Sequence, residues 1–520
     1  MYRSIHKWSS DLDTTTQAQL AIAPDVQAGR WLVLAAVCLA GLVLPLSFTG
    51  AAVALPAIGR ALGGSATALN WVVNGFMLAF GSCLMVAGAM ADAFGRKRVF
   101  ASGIVLFVLA SIGVAVAPSV VAIGWLRALQ GVAAALSMAG GSAALAQEFD
   151  GHARIRAFSL LGTTFGVGLA FGPLIAGSLI QAQGWRAIFM LCAVVGALAF
   201  VFGVPRMRET RDPQARGVDW AGGASFTVTL VLLTWALMEV PERGWTDGVV
   251  FALFVAAAVG LAAFITIEQR VARPMLDLSL FRFRRFVGVQ VLPLATACYV
   301  VMLVVLPARL IGIEGQGETE AGITMIALSL PLLVVPLLAV QLAHRWSAAT
   351  LTCAGLLVAA TGFWWLGEIA PGQPATAWIA PMLVTGFGTG FAWGLMDGLS
   401  VSVVPKERAG MATGIFSTTR VAGEAIALAA VGAALTALIV GQAGPSHAVN
   451  AATWMEAAHR TAMGNVPAAL ALLPAGSGPA LTQAYGVAFA QLAHALAAFS
   501  VVSAAVVYGL LGRMRLGVAE

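Results

Sequence analysis

The chain has 520 residues, 60% hydrophobic and only 10% charged, with a net charge of +6 and a mean hydropathy of +0.90. A soluble domain carries about 25% charged residues, so this composition excludes a soluble enzyme and indicates an integral membrane protein. Lipid-exposed backbone must be hydrogen-bonded within its own segment, which makes repeated spans an all-α bundle.

Met1 to Arg30 are polar and mixed, without the apolar core and cleavage site of a secretory signal, and read as an unprocessed N-terminal tail. Long apolar stretches then recur from Trp31 to Leu511. Each is long enough, at about 1.5 Å per residue, to cross a hydrocarbon core of roughly 30 Å. The pattern predicts about fourteen helices, beginning near Trp31, Asn70, Val99, Val120, Ala157, Arg186, Ala221, Val249, Phe286, Ala321, Ser347, Ala377, Ala409 and Ala484. Residues 31–204 form a first six-helix half, 205–285 a linker with two extra helices, 286–512 a second six-helix half, and 513–520 a short tail. The longest stretch between spans, residues 441–483, is rich in Ala, Gly and Pro. A lid and a loose loop both fit it, and the composition favours the loop. Cys38, Cys83, Cys192, Cys298 and Cys353 all lie in apolar runs without CxxC spacing, as packed thiols rather than disulfides or a metal site.

Alternate loops differ sharply in charge. One side carries Arg96–Arg98, Arg154, Arg156, Arg206, Arg208, Arg211, Arg216, Arg270, Arg273, Arg282, Arg284, Arg285, Arg345, Lys406 and Arg408, whereas the other has Arg60, Arg186, Arg243, Arg309 and Arg460. By the positive-inside rule the rich side and both termini face the cytoplasm. The basic excess thus reports topology and anionic lipid, not nucleic acid.

The segments "RIRAFSLLGTTFGVGLAFGPLIAG" from Arg154 and "KERAGMATGIFSTTRVAGEAIALA" from Lys406 align at a spacing of 252 residues, as duplicated transporter halves do. In that register Arg420 stands opposite Gly168 and Glu424 opposite Gly172, so both charges are additions of the second half.

In "GAMADAFGRKR", Gly88 permits close helix approach, Gly95 a tight turn, and Arg96, Lys97 and Arg98 anchor the turn at the headgroups. Asp92 is placed to face those cations or a helix N-terminus, as a latch between moving halves; for the cations alone an ordinary solvated loop serves equally. The pattern resembles the loop motif between the second and third helices of the major facilitator superfamily. "RALQG" (Arg127 to Gly131) and "GVGLAFGPLIAG" (Gly166 to Gly177) resemble further motifs of that superfamily, the latter that of its antiporters. "GWRAIF" (Gly184 to Phe189) and "PMLDLSLFRFRRF" (Pro274 to Phe286) are similar to its fourteen-helix drug:proton antiporter branch. The resemblance implies two six-helix halves, alternating access, a small-molecule substrate and energy from the proton gradient without cofactor or metal. It also implies a multi-pass protein of a bacterial inner membrane, working as a monomer and with no periplasmic adaptor identified. No Walker loop, HExxH or GxSxG accompanies the spans, which excludes ATP hydrolysis within this chain.

Several residues are candidates for the chemistry. Arg127 lies roughly 11 Å along its span, where a charge needs a polar partner. The resemblance gives it a part in the proton path, a structural arginine bonded to carbonyls being the alternative; Gln130 shares its face. Gly168, Gly172 and Pro173 suit either a hinge or a static packing face between the halves. Arg420 lies roughly 15 Å and Glu424 roughly 21 Å from Gly410, both within hydrocarbon depth. Four apart on one face, they are expected to pair, with Glu424 exchanging a proton and Arg420 favouring its ionised form when close; a permanent ion pair is the rival. The branch commonly has an aspartate in its first span, but "LSFTGAAVALP" puts Ser47 at that place, and Asp397 joins Glu424 as an acid where the branch is uncharged. Asp397 serves as a second proton site or ends a polar cavity face. Asn70, Trp71, Asn74, Gln130, Trp393, Gln491 and His494 are candidates for a substrate cavity, with Trp235, Tyr299, Phe416 and Trp364 behind them. In the second-half loop only His344 and Arg345 are left of the motif at Gly88.

Overall fold

The computed structural model describes residues 24–149, 151–211, 218–271, 276, 278–343, 345–404, 409–442 and 450–512. Among these, fourteen helices are long and apolar enough to cross a bilayer. The first half holds α1 (Pro24–Leu62), α2 (Ala66–Phe94), α3 (Arg96–Val116), α4 (Val120–Glu148), α5 (Gly151–Gln183) and α6 (Arg186–Gly203). An inserted hairpin follows, α7 (Trp220–Arg243) and α8 (Gly248–Arg270). The second half holds α9 (Arg284–Gly312), a span in two pieces, α10 (Glu318–Ser329) and α11 (Pro331–Leu342), then α12 (Ala348–Gly367), α13 (Thr376–Ser402) and α14 (Ala409–Gly441). Two short helices, α15 (Ala451–Ala462) and α16 (Val466–Leu470), precede the last span, α17 (Gly478–Leu511).

Local chemistry explains the breaks. Ser65 and Ser119 cap α2 and α4 by accepting from the amides of Ala68 and Ala122 at 3.2 and 3.3 Å, satisfying donors that a first turn leaves unpaired. Pro331 has no N–H to continue the ladder of α10, so the span restarts there as α11. Between α2 and α3 only Gly95 intervenes, at φ 111°, which a side chain rarely adopts. A Cβ there would also collide with the carboxylate of Glu209. That turn is tied down by an Arg96–Asp92 ion pair of 3.0 Å, by Arg98 against Glu209 at 3.5 Å, and by the Arg96 amide donating to the Thr210 carbonyl at 2.9 Å.

The expectation of a loose loop over 441–483 is corrected. Residues 450–483 include α15 and α16, and Ala457, Ala458, His459 and Thr461 of α15 are fully buried. Ala457 and Ala458 lie four and three residues before Thr461, and His459 three and four before the buried Ala462 and Met463, so one broad face turns inward, which the alanine-rich composition concealed. The first helix starts at Pro24, ahead of Trp31, and the last at Gly478, ahead of Ala484. His344, Lys406, Arg408, residues 1–23 and the tail 513–520 lie outside the described residues.

Two seams join the halves. In one, α5 meets α10: a Cβ on Gly177 would strike the Glu318 carbonyl, and one on Gly322 would come 2.7 Å from the Pro173 carbonyl. In the other, a Cβ on Gly81 of α2 would lie 2.7 Å from the Ala422 amide of α14. The hairpin covers this second seam, with Phe226 and Leu230 in the core beside α2, and Val240 and Val250 packed on Ala433 of α14. Gly88, expected to receive a neighbouring helix, has none within 4 Å of a built Cβ.

Gly95→Ala should lower the unfolding free energy by about 1–3 kcal/mol through backbone strain, whereas Gly88→Ala should leave thermal unfolding in detergent unchanged or slightly raise its midpoint. Equal midpoints for the two variants would contradict the strain at Gly95.

Candidate functional site

The site begins with Arg127, fully buried in α4. Its Nε donates to the Val72 carbonyl at 2.8 Å, and its Nη1 donates to Ser47 Oγ at 2.7 Å and to Gln130 Oε1 at 2.6 Å. Gln130 in turn donates to Ser111 Oγ at 2.7 Å, and Ser111 to the Phe107 carbonyl at 2.7 Å. The guanidinium also lies 4.4 Å from the ring centroid of Phe76, a cation–π contact in a desolvated setting. No ion pair of Arg127 occurs among the described residues; a serine hydroxyl takes the place of the aspartate that the motif leads one to expect. Gln130, expected on the cavity wall, is locked inside this relay.

In the second half the charges arrange themselves differently from expectation. Arg420 Nη1 lies 3.5 Å from Asp397 Oδ1, and Arg420 forms no ion pair with Glu424 among the described residues. The reason is water. Asp397 has two thirds of its side chain exposed and Arg420 a quarter, whereas Glu424, one turn deeper, is 7% exposed. The guanidinium therefore turns to the wetter acid, and Glu424, buried and still within the field of Arg420, makes no ion pair among the described residues. One turn from Asp397, Trp393 stacks edge-on against Tyr299 with ring centroids 5.7 Å apart, and the Tyr299 hydroxyl donates to Ser329 Oγ at 3.0 Å. Asp397, Arg420 and Trp393 thus gather on α13 and α14 toward the end that carries Arg96–Arg98, where Asp397 is exposed.

At the opposite end the halves are closed. Arg60 forms a 2.6 Å ion pair with Glu318 across the α1–α10 boundary. Beneath α15 lies a cavity of about 30 Å³, room for one or two waters, lined by Asn70, Asn74, Leu428, Gly432 and Met463 among others. Asn70 Nδ2 lies 3.2 Å from His459 Nε2, joining α2 to α15. A backbone contact of Gly464 with Gly312 fastens this cap to α9. Burial pushes His459 down to about 4, with Glu456 partly offsetting it.

Other candidates separate. Trp71 leans on Gly124 of α4, and Gly168 and Gly172 pack on Leu42 and Thr49 of α1, so these glycines serve packing within the first half. Gln491 and His494 do not face the cavity. Gln491 is exposed, and His494 stacks on Trp364 at 4.1 Å and pairs with Glu368 at 3.1 Å on the outside of α12. The small residues Ala493 and Ala497 occupy the inward face of α17 instead. Trp235 is also outward, bonded to Glu239 at 3.0 Å, and Phe416 is wholly buried. Sequence reasoning missed Arg60–Glu318, His459 and the buried Arg309–Glu314 pair of 3.2 Å. Arg60, Glu318, Arg309 and Glu314 stand at span ends and look like ordinary interfacial charges. Only the inward stripe of α15 signals that His459 is sheltered.

A family model described as the Major Facilitator Superfamily matches residues 37–428. The chain belongs to that superfamily. It is a multi-pass membrane transporter with a small-molecule substrate. The chain is 30% identical over 391 residues to the multidrug resistance protein Stp of Mycobacterium tuberculosis, covering 74% of this chain and 72% of that protein. It is 31% identical to the probable actinorhodin transporter of Streptomyces coelicolor, over 81% and 75% of the two chains. With the puromycin resistance protein pur8 of Streptomyces alboniger it shares 32% identity, over 77% and 80%. Among solved structures, a bacterial homologue of the human lysosomal transporter Spinster superposes with a TM-score of 0.63 at 16% identity, over 93% and 97% of the chains. A peptide transporter POT bound to sulfate gives 0.58 at 16% identity, over 87% and 95%. These last two likenesses establish the fold.

Two outcomes test this superfamily member's site. Ser47→Asp gives the Arg127 guanidinium a counter-ion and should raise the thermal midpoint, while Ser47→Ala should destabilise by about 1–2 kcal/mol; a lower midpoint for the aspartate variant would contradict the uncompensated charge. For His459, the folded value near 4 lies below the ordinary 6.5. The closed cap is therefore fully stable above pH 6.5 and weakens as pH falls toward 4, by at most about tenfold per unit. Hydrogen exchange of residues 451–462 at pH 7.5 and 5 checks it, with faster exchange after correction for intrinsic rates expected at pH 5.

Proposed function

We propose that this transporter exports small amphipathic or hydrophobic compounds, a toxic agent or a metabolite of the cell itself, in exchange for protons. The end bearing Arg96–Arg98 faces the cytoplasm of a bacterial cell with both termini on that side, which the arginine asymmetry supports. The conformation is then open to the cytoplasm and closed outside by Arg60–Glu318 and the α15 cap.

The observation that carries this reading is Glu424, a carboxyl at hydrocarbon depth, 7% exposed and without an ion pair among the described residues. Such a group stays there only if a proton, a cargo or a moving cation neutralises it in each state. It lies two residues beyond the α2–α14 crossing at Gly81 and Ala422, where rocking of the halves changes its surroundings. In the cycle proposed, cargo enters from the cytoplasmic side past Trp393, beside Asp397 and Arg420, and Glu424 gives its proton to water on that side. The halves then rock, cargo leaves on the far side, and Glu424 takes a proton there. Arg420, held by Asp397 in the open state, approaches the ionised Glu424 as the halves rock and balances its charge until the far side supplies a proton. No cofactor is needed. The names of the relatives, an antibiotic transporter and resistance proteins among them, support export of such compounds.

Purified protein in liposomes with an imposed pH gradient should move a hydrophobic dye against the proton flow; co-directional flow would make it a symporter, and no flow would overturn the reading. Glu424→Gln should reduce gradient-driven export at least about a hundredfold while dye binding, read by tryptophan quenching, persists. Export at the wild-type rate removes Glu424 from the mechanism.

A further inference from the structure

The motif "GWRAIF" turns the chain from α5 into α6 and takes no part in the transport chemistry. Gly184 supplies the turn at φ 86°, and Trp185, Ile188 and Phe189 are buried in the core. Arg186 is left outside, at the end of the molecule that Arg60–Glu318 closes. Its Nη2 donates to the Ala117 carbonyl beyond α3 at 3.3 Å, and its guanidinium lies 4.4 Å from the Trp185 ring centroid. Both partners are neutral. Arg186 has no ion pair among the described residues, and the turns at this end of the first half, residues 63–65, 117–119 and 184–185, contain no acid. Arg60, the other cation at this end of the first half, is already held by Glu318.

Beside this arginine opens a groove of about 520 Å³, lined by the ends of α3 and α5 and the start of α6. Arg186 and Gln183 are its polar residues. The rest is apolar: Ala187, Met190 and Val194 follow one another along α6 at helical spacing, with Leu179 of α5 and Val116 of α3 opposite. Val194 lies eight residues beyond Arg186, roughly 12 Å deeper into the bilayer. Val116, Met190 and Val194 are exposed, so the groove is open to lipid along its length.

We propose that this groove binds one phospholipid with an anionic headgroup, drawn from the leaflet at the closed end. Arg186 and Gln183 hold its phosphate, and one acyl chain lies along Ala187, Met190 and Val194. The tail gains little by exchanging lipid neighbours for apolar side chains, so the groove sets where the lipid stands and the head sets which lipid it is. A guanidinium donates two parallel N–H bonds to a phosphate, and a net negative head supplies the charge that a carbonyl and an indole ring leave unbalanced. A zwitterionic head brings its own cation to the same spot. The three helices all belong to the first half, so the site keeps its shape as the halves rock and does not rest on the export reading.

Liposomes holding the full chain and a trace of phosphatidylglycerol with a photoreactive diazirine in mid-chain are irradiated, and the cross-linked peptides are mapped by mass spectrometry. The phosphatidylcholine analogue serves for comparison. The peptide carrying Met190 and Val194 should be labelled several-fold more by phosphatidylglycerol. Arg186→Gln should bring that labelling down to the phosphatidylcholine level, and Val194→Trp, which fills the groove without altering charge, should lower it too. Equal labelling by the two lipids, or labelling that Arg186→Gln leaves unchanged, overturns the site and leaves ordinary boundary lipid. Protection by excess glycerol phosphate equal to that by unlabelled phosphatidylglycerol overturns the lipid in favour of a free anion. Val194→Trp keeps the test decisive if Arg186→Gln does not fold.

Discussion

An ionised group among apolar helices must recover from the protein what water gave it, and the placement of charge in this transporter follows from that requirement. Arg127 recovers it from a carbonyl, a hydroxyl, an amide oxygen and an aromatic face. Arg420 recovers it from Asp397 on the neighbouring α13. Arg309, fully buried, uses Glu314 and the Ile369 carbonyl, 3.2 and 2.6 Å away. Glu424 has no ion pair among the described residues, and a carboxyl differs from a guanidinium in being able to lose its charge by binding one proton. The first half therefore carries a buried cation held by neutral partners, with Ser47 at the place of an acid, and the second half a buried carboxyl that one bound proton would neutralise.

Packing divides the labour in the same way. Backbone-to-backbone contact at Gly177, Gly322 and Gly81 brings the halves together near mid-span and at one end, where no side chain separates them. Toward the other end those contacts cease, and the fold of the inserted segment decides what takes their place. Leu276 and Leu280 are short apolar bolts in one gap. Among the described residues nothing equivalent lies within 4 Å of a Cβ built on Gly162 in the other.

Much of the fold was legible in the letters. The spans are long runs of apolar residues, and a helix in hydrocarbon has no competing structure; the hairpin and the Gly95 turn followed from the same reasoning. Contacts made by charge were less legible. Arg420 and Glu424 sit at helical spacing, yet pairing depends on how much water each sees, and Asp397 became the partner through a neighbouring helix. Gln491 and His494 were placed on one face correctly, but a sequence does not say which face points inward when small residues on the other side pack better. The α15 helix was hidden because alanine and glycine suit both a loop and a close-packed helix. Ser47 was visible as a departure, and its bond to Arg127 shows what replaced the missing carboxylate.

The restart at Pro331 gives the tenth span an articulation that its counterpart in the first half, the unbroken α2, lacks. Without an amide on Pro331 the ladder loses a rung, and the Tyr299 hydroxyl supports the exposed backbone just ahead of it through Ser329. The upper piece meets α5 at Gly322, whereas the lower piece lies against α13, where Gly394 leaves room for the Pro336 backbone. The break thus lets one span serve two neighbours, twelve residues of it following α13 while the rest holds the first half.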